Sequence, residues 1–234
     1  ATLCRSKIKS ARGQEFIAAH VEAEPNLFGA DHDSSSFYKK MEKFLNDFIV
    51  EHNREVALIA LSHENALRRI CERGMDIKTV IDVGASDGHW SVKLKKEFFR
   101  EANYFLIEAY DVWREALEKR KEEDPKIDFV LAAAGDKVGK IYLCKRPDYP
   151  TGGHAYHRKL DERYEEIQQT CVDFEVEDKG LEGPFMVKLD CHGREREILQ
   201  GAAKTLENTH LLMVEAYNYG DRGRMRFHEL CSVV

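Results

Sequence analysis

At 234 residues, with 43% hydrophobic residues, the chain is long enough for one α/β domain plus an extension. Lys+Arg 36 against Asp+Glu 42 gives a net charge of -6, which excludes a general electrostatic pull toward nucleic acid. No apolar run is long enough to span a bilayer, the N-terminus has no signal-peptide core, and the six cysteines are scattered without a C-x-x-C pair, so reduced thiols in a cytoplasmic protein away from membranes are expected.

Taken from the N-terminus, residues 15–23 fit a short helix ending at Pro25, and residues 26–36 read as a loop. Phe37, Met41, Phe44, Leu45 and Phe48 recur at helical spacing over 37–53. Ala57, Leu61, Leu67 and Ile70 do the same over 56–73, with Gly74 as a stop. Residues 1–74 are therefore expected to form a helical N-terminal extension, and residues 75–234 the main domain.

The main domain opens on 79–88, TVIDVGASDG. The run 80–83 suits a strand buried on both faces, Gly84 and Gly88 flank a tight turn, and Trp90, Leu94 and Phe98 recur every four residues as on the inner face of a helix. A second strand over 104–107 ends at Glu108, and the helix behind it, 111–123, turns Val112, Trp113, Ala116 and Leu117 inward before Pro125. A third strand over 127–134 ends in Gly135-Asp136. Residues 140–144 alternate like an antiparallel strand, 149–170 read as a long loop, and 171–176 alternate again. A fourth strand, 185–189, ends at Asp190, and its helix over 195–207 buries Ile198, Leu199, Ala202 and Leu206. A fifth, 210–214, ends at Glu215, and 224–234 starts one more helix. Strands alternating with helices of this length predict a doubly wound, mostly parallel α/β sheet of Rossmann-like type. A complete sheet of that type calls for about two more strands, so a truncated C-terminus is expected.

The glycine turn selects the ligand. Its spacing is G-x-x-x-G, without the G-x-G-x-x-G of dinucleotide sites, and no Gly-Lys-Ser/Thr follows to make a P-loop. Asp87 stands where a phosphate binder needs donors, which favours a ligand with positive charge and hydroxyls, and S-adenosylmethionine has both. Asp82-x-Gly84-x-x-x-Gly88 resembles the first motif of the class I methyltransferases. All five core strands end in or near an acid: Asp82, Glu108, Asp136, Asp190 and Glu215. In a parallel sheet these ends share one edge, where ligands bind. An acid closing the second strand can accept both hydrogens of a ribose diol, a role shared with NAD sites.

Residues 185–202 are more specific. Lys188, Asp190, Gly193, Leu199 and Gly201 match K-[IL]-D-x-x-G leading into E-x-x-[IVL]-L-x-G, so the segment resembles the FkbM-type methyltransferase signature. The strand ending at Glu215 and the registers of 80–88 and 105–109 extend that resemblance over roughly residues 79–219. It implies S-adenosylmethionine as cofactor and O-methylation of a hydroxyl on a sugar or other small molecule. By the same resemblance Asp82, Gly84, Ala85, Ser86, Gly88, Glu108, Ala109 and Asp136 would hold the cofactor. Asp190 and His192 would face the reaction.

Cys191 and His192 depart from the family, which has an aliphatic residue and then Glu or Gln there. His192 is placed to act as general base for a hydroxyl, or else it packs on the neighbouring turn. His154 and His157 form an H-x-x-H within a polar segment, read as a solvated or substrate-facing loop. No metal is expected: Asp190 could coordinate a divalent cation, but no pair of adjacent acids follows it later in the chain. Two alternatives stand beside the methyltransferase reading. One is an NAD-dependent oxidoreductase, and the other a non-catalytic cofactor-binding module working through its N-terminal helices.

Overall fold

The computed structural model describes residues 8–9, 15–18, 62–216 and 225–233. The strands in chain order are Ile8–Lys9 (β1), Glu15–Ala18 (β2), Thr79–Val83 (β3), Asn103–Glu108 (β4), Ile127–Leu131 (β5), Ala133–Ala134 (β6), Gly139–Cys144 (β7), His154–Tyr156 (β8), Tyr164–Thr170 (β9), Phe185–Leu189 (β10) and Thr209–Val214 (β11). The helices are His63–Glu72 (α1), His89–Glu97 (α2), Arg114–Glu123 (α3), Val172–Asp178 (α4), Glu195–Gln200 (α5), Ala203–Leu206 (α6) and Phe227–Val233 (α7).

The main sheet has the order β1-β2-β11-β10-β3-β4-β5. Every pair from β2 to β5 is parallel, and β1 runs antiparallel to β2. From the central β3 the chain winds outward through β4 and β5, then returns to the other side of β3 as β10 and β11. That reversal opens a crevice beyond the carboxyl ends of β3 and β10.

The central strands β3, β4, β10 and β11 are mostly apolar because both faces are covered. Ile81, Phe105, Val187 and Leu212 pack on one side with Val172 of α4, Ile198 of α5 and Leu230 of α7. Their neighbours Val80, Tyr104, Met186 and Leu211 pack on the other with Leu67 of α1, Leu94 of α2 and Leu117 of α3. Successive residues of a strand point to opposite faces, so an unbroken run serves both cores. The doubly wound, mostly parallel α/β sheet expected from the sequence is the fold. Among the described residues no helix is long and apolar enough to cross a membrane.

Several elements differ from the sequence reading. Residues 15–18 form a strand instead of a short helix, paired with β11 from Leu211↔Glu15 to Val214↔Ala18. The place beyond β11 is thus taken by strands from near the N-terminus. The helix expected over 37–53, and residues 56–61 of the next, lie outside the described residues, whereas 63–72 are helical. The run 127–134 splits into β5 and β6, and β6 joins a second sheet of order β6-β9-β7-β8. There β7 is antiparallel to both β8 and β9.

The stretch 149–170 is not a long loop. It supplies β8 and β9, and Glu165 and Glu166 of β9 face solvent, which removes the apolar periodicity. The alternation at 171–176 belongs to helix α4, where Val172 is buried, Phe174 is 46% exposed and the Glu175 carboxylate accepts from the Thr170 hydroxyl at 2.5 Å. The helix expected over 195–207 breaks at Gly201, whose carbonyl accepts from Asp173 N at 2.8 Å, and the Asp173 carboxylate accepts from Thr205 N at 2.8 Å at the start of α6. Of the residues expected inward on 111–123, Leu117 is fully buried but Val112 is 51% exposed.

Candidate functional site

Two strand-end turns make the floor of the crevice. After β3, Gly84 N donates to Ile107 O at 2.9 Å, and after β10, Asp190 N donates to Val83 O at 3.0 Å. The turns approach so closely that a Cβ on Gly84 would overlap the Asp190 carbonyl oxygen, and Gly84 also has φ +78. Here glycine is required by backbone packing. Gly88, with φ +72, precedes α2, and its Cβ would lie 3.0 Å from Leu106 Cδ2. Among the described residues two non-glycines have positive φ, Ser86 at 50 and His192 at 49, one in each turn. Non-glycine residues held there cost about 1–3 kcal/mol each and concentrate at functional sites.

Glu108, at the end of β4, reaches over the first turn. Its two carboxylate oxygens accept from Ser86 N and Tyr110 N, each at 2.7 Å. The side chain is 7% exposed. Burial pushes its pKa above the ordinary carboxylate value, while the backbone N–H groups of Tyr110, Ser86 and Ala109 pull it back and the charge of Asp82 adds to the rise.

Asp82 is fully buried beneath the turn, 2.9 Å from Lys188 Nζ and 2.7 Å from Ser91 Oγ. Lys188 also lies 3.3 Å from Asp190 and 5.0 Å over the Trp90 ring. Burial disfavours its charge, but Asp82 and Asp190 outweigh that and raise its pKa.

The opposite wall joins the ends of β10 and β11. His192 Nε2 is 3.8 Å from Asp190 Oδ1 and 3.6 Å from Glu215 Oε2. Asp190 is in hydrogen-bond contact with Glu215, and although burial opposes its ionisation, Lys188, Glu215 and His192 hold its pKa below the usual range. His154 of β8 covers this wall, with Nδ1 3.2 Å from His192 O and its ring 5.9 Å from that of His192. Arg194, buried at 6% exposure, has its nearest described carboxylate, Glu197, at 4.0 Å, and its Nε has no described partner.

Between these walls lies a cavity of about 450 Å³, roofed by the stretch 149–155 that leads into β8 of the second sheet. Of the sequence-derived candidates, Gly84, Ser86, Glu108, Ala109, Asp190 and His192 line it. Asp82 and Ala85 lie beneath it in the core, and Gly88 packs against Leu106. Asp136 is turned toward Gln169 Nε2 at 3.4 Å and Lys137 at 3.7 Å, away from the cavity. The sequence-derived set omits Glu215, Lys188, Trp90 and Arg194 from the lining. Glu215 and Lys188 had a signal, as a strand-end acid and as part of the K-[IL]-D match; the roof at 149–155 had none.

The crevice therefore offers one acidic, hydroxyl-accepting end at Glu108 and one polar end of carboxylates and imidazole. No family model matches the chain, and no curated protein matches it. Among solved structures it aligns with the crystal structure of methyltransferase FkbM from Methylobacillus flagellatus KT at 17% identity and TM-score 0.41, over 59% of this chain and 32% of that one. The chain thus spans about a third of the length of that methyltransferase. A likeness at that level assigns neither a family nor an activity.

Proposed function

We propose that the chain binds S-adenosylmethionine and transfers its methyl group to a hydroxyl oxygen of a sugar or other small molecule. The observation that carries this reading is Glu108: a buried carboxylate at the end of β4, fixed over a strained turn by two backbone donors and facing a 450 Å³ cavity. Each carboxylate oxygen keeps a lone pair for a second donor, which suits a ribose diol. The acids of the crevice suit a sulfonium and an ammonium and oppose a pyrophosphate. The match of residues 185–202 to the FkbM-type signature supports the same reading.

Bound there, the cofactor supplies an electrophilic methyl group for in-line displacement. The chain contributes position: Ser86 and Ala109 border the ribose end, while Asp190 and His192 border the space left for the acceptor. Residues of the 149–155 stretch border that space.

Titration calorimetry tests this directly. S-adenosylhomocysteine should bind with one-to-one stoichiometry and NAD should not. Binding of NAD in place of S-adenosylhomocysteine would overturn the proposal.

A further inference from the structure

The polar end of the crevice is assembled from three residues distant in function from the ribose end. Asp190 and His192 come from the turn after β10, and Glu215 from the end of β11, the next strand in the sheet. The potential ligand atoms, one imidazole nitrogen and two carboxylate oxygens, all lie within 4.8 Å of one another. Atoms held about 2.1 Å from one ion in tetrahedral or octahedral geometry are roughly 3–3.5 Å apart, or about 4.2 Å when opposite. The separations of 3.6 and 3.8 Å from His192 Nε2 therefore need shifts of only a few tenths of an ångström.

Charge gives a second, independent argument. Three carboxyls, Asp82, Asp190 and Glu215, meet at this end with Lys188, which already lies 2.9 Å from Asp82. Asp190 and Glu215 are in hydrogen-bond contact although both are half-buried, and a divalent cation between them relieves the repulsion that two ionised carboxylates would otherwise suffer. All three ligand residues also line the cavity, so open coordination positions would face a small molecule.

The geometry points to a divalent cation site formed by Asp190, His192 and Glu215. The mixed oxygen and imidazole donors suit Mn2+ and Zn2+ better than Ca2+. If the methyltransferase reading holds, on which only this last step rests, the acceptor is a molecule that offers an oxygen to the cation, and His192 serves as ligand in place of base.

The test uses the full chain, stripped with a chelator and titrated with Mn2+ alone, following loss of the free-ion paramagnetic resonance signal. One saturable equivalent per chain is expected. Glu215→Gln should weaken binding tenfold or more, as should His192→Gly, whose backbone suits the positive φ at that position. Circular dichroism checks that each variant is folded, and either folded variant decides the matter. Absence of saturable binding up to about 1 mM Mn2+, or wild-type affinity in a folded variant, overturns the site. S-adenosylhomocysteine binding measured on the same wild-type sample separates the outcomes: retained cofactor binding without metal binding overturns the cation site alone.

Discussion

Glu108 joins structure and recognition in a single side chain. Its carboxylate holds Ser86 N and Tyr110 N at 2.7 Å, so the turn is shaped before any ligand arrives. Glu108→Gln should therefore lower S-adenosylhomocysteine affinity about tenfold to a hundredfold, since charge-assisted hydrogen bonds contribute roughly 1.5–3 kcal/mol each. Ribose hydroxyls donate to the ionised carboxylate. Because burial and then Asp82 raise its pKa, against the Tyr110, Ser86 and Ala109 amides, wild-type affinity should fall as pH drops through an ionisation above the ordinary carboxylate value. Calorimetry across that range checks both points. If Glu108→Gln shows the same pH dependence, the titrating group is another one.

At the scale of elements, the junction between the β3 and β10 turns sets the crevice, and two glycines separate its causes. Gly84 and Gly74 both have positive φ, +78 and +71, but a Cβ at Gly84 would overlap the Asp190 carbonyl and one at Gly74 meets nothing within 4 Å. Gly74→Ala should cost only the left-handed penalty of about 1–2 kcal/mol. Gly84→Ala adds a collision between two backbones and should cost about 3 kcal/mol or more. Urea denaturation of the two variants reads the difference, and equal losses would remove the close approach from the account. The buried Asp82–Lys188 pair spans the same two strands, at Lys188↔Asp82 in their register.

For the molecule as a whole, the crevice lies between the sheet edge and the roof at 149–155, so a ligand there bridges two sheets. Binding to the folded state alone stabilises it by about 2.7 kcal/mol at a hundredfold excess over Kd. For a chain of this size that corresponds to a rise in Tm of roughly 5–10 °C. Differential scanning calorimetry with S-adenosylhomocysteine should show such a shift and NAD none. An unchanged Tm at saturating S-adenosylhomocysteine would contradict a site in this crevice.

The strands 79–83, 103–108, 185–189 and 209–214 were legible in the sequence to within a residue at each end, as were the acids that close them and, apart from the break at Gly201, the helices behind them. Each is a local pattern: an apolar run long enough to be covered on both faces, closed by glycine or a carboxylate. Only the tertiary structure decided which of those acids act together. Asp82 and Asp136 have strand-end signals like that of Glu108, yet one is buried under the turn against Lys188 and the other faces Gln169. Asp190, His192 and Glu215 converge because β10 and β11 are neighbours in the sheet, a pairing not written in either segment. The same holds for β2 beside β11 and for β8 and β9 in the second sheet. Strands that take their partners from distant segments are not specified by any local apolar pattern.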